Sequence, residues 1–269
     1  MAEPRFDRAR FQARLRTHHL GRVLIARAET GSTNDDALEA LASGLPDGVA
    51  VVADAQAHGR GRAGRTWTHA PGLGLAISVA LHPGCEPGQA GAIPLAAGLA
   101  LARAAQRLGV AARLKWPNDV LWQGRKLAGV LCEMRRTPDG DAVVIGAGVN
   151  VRQAAADFPP EIRERATSFR LAGAEAAVED VAAEFLNALE PLWTELEEGD
   201  RRVVLDGWRE NAAFWGEPVT ARTPGGEVRG IAQRLEDSGA LVLRLESGLE
   251  ATVLAGDLEP EDAGGGGGA

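Results

Sequence analysis

Apolar positions along the chain follow two periodicities that alternate from the N-terminus to residue 150. Short runs rich in Val, Ala, Leu and Ile are typical of buried strands, whereas apolar residues three and four positions apart are typical of helices. The runs predict strands at 23–28, 49–53, 73–81, 111–115 with a hairpin region to 122, 127–135 and 142–150. The helical spacing predicts helices at 5–20, from Ser32 or Thr33 to about Ala42, and at 88–108.

The pattern changes in the second half of the chain. Residues 178–211 again have helical spacing, with Phe185, Leu189, Leu192 and Leu196 on one face. After Trp215, short alternating segments separated by Gly-containing turns predict a small β-barrel or sandwich of about 45 residues. We therefore predict four parts: a short N-terminal helical segment at 1–20, a large domain at 21–215, a small β-domain at 216–260 and a disordered glycine tail at 261–269.

Composition narrows the class of protein. The chain has 269 residues, 45% hydrophobic and 25% charged, with a formal net charge of −8. This charge disfavours general attachment to nucleic acid or to an anionic membrane. No apolar run approaches the roughly 20 residues of a membrane helix, and the first 20 residues lack the apolar region of a secretory signal. Two cysteines, Cys85 and Cys132, fit a reducing compartment. We therefore expect a cytoplasmic protein that binds neither nucleic acid nor membrane.

A basic, glycine-rich loop follows the second predicted strand. Its core, Gly59-Arg60-Gly61-Arg62-Ala63-Gly64-Arg65, matches the dinucleotide fingerprint G-x-G-x-x-G. That fingerprint opens a helix, and Thr66 to Gly72, with Pro71, cannot continue as one, so we reject a Rossmann site. One interpretation is a solvated basic loop that binds no ligand. The functional interpretation is an anion-binding site, because glycines let backbone N–H groups approach an anion and guanidinium forks bind its oxygens in pairs.

Three further motifs place polar groups at the ends of predicted elements. Only two of the 29 Lys and Arg residues of the chain are lysines, and both of them, Lys115 and Lys126, lie in the segment LKWPNDVLWQGRKLAG. The predicted strand at 142–150 ends in the motif GAGVN at 146–150, with small residues and a final amide, and Gly-Ser-Thr-Asn at 31–34 begins a helix. Each motif taken alone could be a capping turn or an ordinary helix start. The five histidines lack metal-ligand spacing and no G-x-S-x-G elbow occurs, so a cation-rich cleft for phosphoryl or nucleotidyl transfer is favoured.

Taken together, these motifs resemble the family of biotin protein ligases, also called biotin–[acetyl-CoA-carboxylase] synthetases. GSTN, Gln56 with GRGRxGRxW, KWPND, RKLAG and GAGVN occur in the family's order between about Val23 and Leu258. The resemblance implies an α+β fold, with the mixed sheet and helices of class II aminoacyl-tRNA synthetases and biotin synthetases, followed by an SH3-like β-barrel. DNA-binding members carry an N-terminal winged helix where this chain has about 20 residues, so it resembles the monofunctional type.

The resemblance also implies roles for individual residues. Those expected to be catalytic are Lys115, Arg62 and Lys126. Those expected to bind biotin are Ser32, Thr33, Asn34, Gln56, Gly59, Arg60, Gly61, Arg62 and Lys115. Those expected to bind the nucleotide are Arg62, Arg65, Trp67, Asn118, Lys126 and Asn150. No side chain is expected to ligate a metal directly, and Mg²⁺ is expected through the substrate phosphates.

The implied reaction joins two anions. The biotin carboxylate attacks the α-phosphate of ATP to form biotinyl-5′-adenylate, and a lysine of a biotin carboxyl carrier protein, from acetyl-CoA carboxylase or a related carboxylase, then takes the biotinyl group. Cations that cancel the repulsion and a loop that excludes water suit this chemistry. Two alternatives stay open: a lipoate-protein ligase, which shares the fold and chemistry, and a non-catalytic regulator that senses biotin or the adenylate. A monomer or a homodimer is expected.

Overall fold

A seven-stranded sheet is the larger of two sheets in the computed structural model, which describes residues 3–84, 91–137 and 140–260. Its strands are β1 (Leu24–Arg27), β2 (Val49–Ala53), β3 (Gly74–Leu81), β4 (Arg113–Lys115), β5 (Asp119–Trp122), β6 (Arg125–Thr137) and β7 (Gly140–Asn150). Their order across the sheet is β1-β2-β3-β7-β6-β5-β4. β1 pairs parallel to β2 and every other neighbouring pair is antiparallel, so the sheet is mixed, as expected.

The central strands of this sheet are buried because their residues are apolar on both faces. Every residue of β2 and β3 is buried, which is typical of strands covered by helices on both sides. Five helices accompany the described strands: α1 (Arg8–Arg14), α2 (Thr33–Ala42), α3 (Ala92–Arg107), α4 (Val178–Glu197) and α5 (Arg202–Asn211). α3 and α4 pack against each other, and their apolar residues join one large core with the sheet.

A second, five-stranded antiparallel sheet follows α5. It contains β8 (Pro218–Thr223), β9 (Gly226–Leu235), β10 (Leu241–Arg244), β11 (Glu250–Val253) and β12 (Asp257–Pro260), in the order β11-β10-β9-β8-β12. The antiparallel strands appear where the sequence predicts the small β-domain; the division of the chain at residue 216 stays a prediction. Val219, Leu241 and Leu258 belong to the same core as the large sheet, so the two sheets share one apolar interior.

The N-terminal segment differs from its prediction. The sequence predicts a helix over residues 5–20, and the structure forms one only at Arg8–Arg14. The Asp7 carboxylate caps its start by accepting from the Arg10 N–H. The backbone N–H groups of His18, His19 and Leu20 instead donate to the Glu190 carboxylate of α4. This tertiary acceptor satisfies donors that a longer helix would have used, so the helix ends early.

Two predictions lie outside the described residues: those for Cys85 and for the glycine tail at 261–269. Within the described part of the chain, none of the helices combines the length and the apolarity that crossing a membrane requires.

Candidate active site

A cavity of about 430 Å³ opens between the N-terminus of α2, the basic loop, the β4–β7 half of the sheet and the start of β12. It brings together residues from motifs that are far apart in the sequence. The predicted site residues that line it are Ser32, Thr33, Asn34, Gln56, Arg60, Gly61, Arg62, Arg65, Trp67, Lys115, Asn118, Lys126 and Asn150. Gly59 is the one predicted site residue that does not line it.

The start of α2 forms one end of the cavity. Ser32 occupies the N-cap position that the sequence predicts, but its side chain makes no capping hydrogen bond. The Gln56 side chain provides the capping hydrogen bond instead. Its Oε1 atom accepts from the Thr33 backbone N–H at 2.9 Å and lies 3.1 Å from the Thr33 hydroxyl. A side chain after β2 therefore satisfies the helix terminus, and the Ser32 residue is left lining the cavity.

Behind this helix start lies a connected set of polar side chains. The Asn34 Nδ2 atom donates to the Glu133 carboxylate at 2.8 Å, and the Asn34 Oδ1 atom lies 2.6 Å from the Ser78 hydroxyl. Arg60 donates to Glu133 and, with two hydrogen bonds of 2.7 Å, to Asp35. Burial alone would raise the pKa of Glu133, but the hydrogen bonds from Asn34 and Arg60 outweigh it and lower this pKa below its usual value.

The basic loop folds back on itself along one wall. The backbone N–H of Trp67 donates to the Gly59 carbonyl, and the backbone N–H of Gly61 donates to the Arg65 carbonyl. A Cβ atom at Gly59 would lie 2.2 Å from the Trp67 carbonyl oxygen, so this close approach requires glycine. Gly59 therefore shapes the loop, whereas the sequence-based expectation places it against biotin.

Trp67 packs on the floor of the cavity. The indole lies against Gly148 of β7, where a Cβ would come within 2.3 Å of the Trp67 Cε2 atom. The Lys126 ammonium lies 5.9 Å from the centre of the ring, within cation–π range. The Trp67 Nε1 atom is buried and has no hydrogen-bond partner in the described part of the chain. A buried donor without a partner is one that a ligand in the cavity could satisfy.

Two asparagines connect the neighbouring strands at the cavity. Asn118 donates from Nδ2 to the Val130 carbonyl at 2.6 Å, and its Oδ1 accepts from Arg62 at 3.2 Å. Asn150, at the end of β7, donates from Nδ2 to the Lys126 carbonyl of β6 at 3.4 Å and accepts from Gln153 at 3.0 Å through Oδ1. Both amides are buried and hydrogen-bonded, so they hold the strands while they line the cavity.

The cations of the cavity differ in how they are neutralised. Three are paired with carboxylates: Arg60 with Asp35 and Glu133, Arg65 with Asp257, and Lys126 with Asp119. Arg62 instead donates to two neutral acceptors, Asn118 Oδ1 and the Gly256 carbonyl, and burial lowers its pKa.

The Lys115 ammonium has neither a hydrogen bond nor an ion pair among residues 3–84, 91–137 and 140–260. It ends β4 next to Trp116, whose indole is buried and donates to the Gly239 carbonyl at 3.1 Å. The Trp116 side chain thus anchors the chain directly after Lys115, and both residues line the cavity. Within these ranges, Arg62 and Lys115 therefore line the cavity without an ion pair to a carboxylate, as does Arg165, whose guanidinium donates to the Glu161 carbonyl.

Sequence reasoning missed the acidic partners and one hydroxyl. Glu133, Asp257 and Glu259 come from β6 and β12, and Ser78 comes from an otherwise apolar strand. The signal available for Ser78 is that it is a polar residue at the centre of a fully buried run, which predicts a hydrogen-bonded partner. For Asp257, the chain offers no local signal, because its partner Arg65 is 192 residues away.

The arrangement suits the binding of an anionic ligand. No group of three or more His, Cys, Asp or Glu side chains within the described ranges could hold a metal ion. The cavity instead offers uncompensated cations, neutral amides, a buried indole donor and an apolar floor. Such a site can bring two anionic groups together and stabilise the charge that develops between them.

Two family matches cover much of the chain. Residues 27–150 match the Biotin/lipoate A/B protein ligase family, and residues 214–259 match the Biotin protein ligase C terminal domain.

Individual relatives agree with these matches. The chain is 38% identical to the biotin–[acetyl-CoA-carboxylase] ligase of Mycobacterium tuberculosis over 88% of both chains. It is also 38% identical to the ligase of the same name from Paracoccus denitrificans, over 85% of this chain and 97% of the relative. Among solved structures, the biotin protein ligase from Aquifex aeolicus in complex with biotin and ATP is similar, with a TM-score of 0.76 and 29% identity over 88% of this chain and 98% of that one.

Proposed function

This chain belongs to the biotin/lipoate A/B protein ligase family, and from that membership we propose that it is an ATP-dependent biotin protein ligase. It forms biotinyl-5′-adenylate from biotin and ATP and transfers the biotinyl group to a lysine of a carrier protein. The match of residues 214–259 to the C-terminal domain of biotin protein ligases favours biotin over lipoate.

The observation that supports this function most directly is the charge balance of the cavity. Arg60, Arg65 and Lys126 are neutralised by carboxylates, whereas Lys115 and Arg62 are not. A reaction between a carboxylate and a phosphate must overcome the repulsion of two anions. Lys115 and Arg62, which take part in no ion pair with the described residues, can supply that stabilisation without first breaking one.

In the first step, a carboxylate oxygen of biotin attacks the α-phosphorus of ATP. The new bond is P–O, the broken bond joins the α-phosphorus to the oxygen that bridges to the β-phosphate, and pyrophosphate leaves with the electron pair. We assign Lys115 to the space between the carboxylate and the α-phosphate, because an ammonium is a compact charge. We assign Arg62 to the same phosphate, because a guanidinium fork binds two phosphate oxygens at once.

We divide the cavity between the two substrates by its polar groups. Ser32, Thr33, Asn34 and Gln56, together with Arg60 and Gly61, form the end we assign to biotin. Trp67, Asn118, Lys126, Asn150 and Arg65 form the part we assign to the nucleotide. The flat indole of Trp67, with an unpaired N–H, suits a planar base that offers an acceptor.

Mg²⁺ would accompany the nucleotide in this proposal. The cavity carboxylates Asp119, Asp257 and Glu259 are each paired with a basic side chain, so they are poor candidates for a separate metal site. The ATP phosphates themselves would be the main ligands, and the ion would neutralise the departing pyrophosphate.

In the second step, an uncharged lysine amine of the carrier attacks the acyl carbon of the adenylate. A C–N bond forms, the bond between the acyl carbon and the phosphate oxygen breaks, and AMP leaves while the amine loses its proton. We propose the biotin carboxyl carrier protein of acetyl-CoA carboxylase, or of a related carboxylase, as the acceptor. The expectations of a cytoplasmic location and of a monomer or homodimer stay predictions.

Exchange of labelled pyrophosphate into ATP tests the first step. We expect exchange that requires biotin and is not supported by lipoate. Exchange that lipoate supports equally would indicate a lipoate ligase, and biotin binding without exchange would indicate a non-catalytic regulator. Addition of a purified carrier domain should then give one biotin per carrier, and replacement of its acceptor lysine by arginine should abolish the labelling.

A further inference from the structure

The hydroxyl of Ser78 lies outside the cavity, yet it contacts two of the residues that form the end assigned to biotin. It is fully buried in the middle of β3, with its Oγ atom 2.7 Å from Thr33 Oγ1 and 2.6 Å from Asn34 Oδ1. Gly146 faces it across the sheet, and a Cβ there would lie 2.1 Å from Asn34 Oδ1. The missing side chain at Gly146 makes room for the Asn34 amide between β7 and Ser78.

Glu133 determines which way the Asn34 amide points. An ionised carboxylate only accepts hydrogen bonds, and its lowered pKa keeps Glu133 ionised. The Asn34 NH₂ group must therefore face Glu133, which it does at 2.8 Å. The opposite atom, Oδ1, only accepts, so Ser78 must donate its single hydroxyl proton to Asn34 at 2.6 Å.

The direction of the next hydroxyl follows from the same proton count. With its proton given to Asn34, the Ser78 oxygen can only accept from Thr33, which lies 2.7 Å away. The Thr33 hydroxyl lies farther from Gln56 Oε1, at 3.1 Å, and that oxygen already accepts the Thr33 backbone N–H. The alternative direction would leave two oxygens 2.7 Å apart with no proton between them in a buried position, which is costly.

From this chain of hydrogen bonds we propose that Ser78 is a positioning residue that sets the polarity of the biotin end. Because the Thr33 proton points away to Ser78, the Thr33 oxygen presents only lone pairs to the cavity. Gln56, whose Oε1 faces the helix start, has its NH₂ group left to donate. This end therefore selects a ligand that presents an N–H donor to Thr33.

The consequence is a specificity for the ring of the substrate, and it depends on the proposed function. The cyclic urea of biotin carries N–H groups, whereas the dithiolane ring of a lipoyl group carries none. A ligand without an N–H would leave the buried Thr33 oxygen unpaired. Sites built around a hydrogen bond reject analogues that lack the partner far more strongly than apolar pockets reject a change of size.

Three ligands and two variants test the proposal by calorimetric titration. The ligands are biotin and the pair of cyclic carbamate analogues in which one or the other ureido N–H is replaced by a ring oxygen. Ser78→Ala deletes the hydroxyl, and Thr17→Val is the matched control, since the Thr17 hydroxyl is equally buried but donates to the Leu20 carbonyl, away from the cavity.

For the wild-type protein we expect one carbamate to bind about 100-fold more weakly than biotin, since it leaves one buried acceptor unpaired. In Ser78→Ala we expect biotin to bind about 10-fold more weakly, the KM for ATP to stay within twofold, and the carbamate penalty to shrink to about 10-fold or less. The penalty shrinks because the freed Thr33 proton can turn towards the ring oxygen. Thr17→Val should keep the wild-type ratio.

An unchanged ratio between biotin and both carbamates in Ser78→Ala would overturn the proposal, because a merely structural hydroxyl would lower stability without altering donor selection. If Ser78→Ala does not fold, Ser78→Cys keeps the shape with weaker hydrogen bonds and should show a smaller reduction of the same ratio; an unreduced ratio there also overturns the proposal. Failure of the wild-type protein to bind biotin would overturn the proposed function instead, which separates the two results.

Discussion

Two glycines on β7, Gly146 and Gly148, allow a test that separates the two halves of the cavity. A Cβ added at either glycine would point to the same face of the sheet, because the two positions are two residues apart on one strand. A Cβ at Gly148 would lie 2.3 Å from Trp67 Cε2, and a Cβ at Gly146 would lie 2.1 Å from Asn34 Oδ1. Gly148→Ala therefore displaces the part assigned to the nucleotide, and Gly146→Ala the part assigned to biotin.

The size of the displacement follows from these distances. Ordinary van der Waals contact to a Cβ begins at 3.4 Å, so the Trp67 indole must move by about 1 Å. The strand cannot give way easily, because Gly148 is paired with Ala76 on one side and with Gly129 on the other. A misplacement of about 1 Å in a site can lower the rate about 100-fold, which corresponds to about 2.7 kcal/mol.

Pyrophosphate exchange measured against each substrate provides the assay. We expect Gly148→Ala to lower kcat/KM for ATP about 100-fold with the Kd for biotin within threefold, and Gly146→Ala to weaken biotin binding about 100-fold. Gly225→Ala, on the exposed β8–β9 turn with no close contact, is the control and should match the wild-type protein. If Gly148→Ala kept kcat/KM for ATP within threefold, or if both variants lost the two substrates equally, the division of the cavity would be wrong.

Three further predictions concern charge. Lys115→Arg keeps the charge but replaces a compact ammonium with a broad planar fork, so exchange should fall about 100-fold at unchanged thermal stability; activity within a few-fold of wild type would leave Lys115 only a general electrostatic role. Arg62→Gly removes a guanidinium held by Asn118 and Gly256, so the adenylate should escape and label bystander lysines, as measured by mass spectrometry of an added unrelated protein; normal adenylate retention would count against this. Finally, burial raises the pKa of Glu133, but its hydrogen bonds outweigh burial and lower this pKa below the ordinary value. The contribution of ionised Glu133 to the hydrogen-bond network is therefore fully present above the ordinary glutamic acid pKa. It is lost only as the pH falls through the lowered value. The Kd for biotin should thus be constant between about pH 5.5 and 8, the ordinary value being near 4.3; a loss of affinity between pH 7 and 5.5 would show that Glu133 is not ionised in the way the network requires.

Strand positions were predictable where the apolar pattern is continuous. The prediction for β2, residues 49–53, coincides with the observed Val49–Ala53, because a run of only five residues, three of them valine, is short and β-branched enough to favour an interior strand over a helix. β6 was predicted at 127–135 and extends over Arg125–Thr137. Arg135 and Arg136 pair with Ala142 and Asp141 across the hairpin, and backbone pairing of this kind does not depend on an apolar pattern.

Family membership was also predictable, since several glycine-rich and amide-bearing motifs occur along the chain in the order that is typical of the family. The predicted mixed sheet with helices is confirmed, and a second antiparallel sheet follows it. The roles of individual site residues stay predictions, although all of them but Gly59 line one cavity.

What the amino-acid sequence determined by itself was therefore local: buried strands, helix starts, tight turns and the residue types that gather at a cavity. Tertiary structure alone decided which cations are neutralised and which are not. Arg65 meets Asp257 and Asn34 meets Glu133 across separations of 192 and 99 residues, and Ser78 meets Asn34 across 44. Such partners depend on strand order and register, which bring together side chains that no periodic pattern relates. Among the residues described, none of those long-range contacts supplies Lys115 with a carboxylate, and this is the basis of the role that we propose for it.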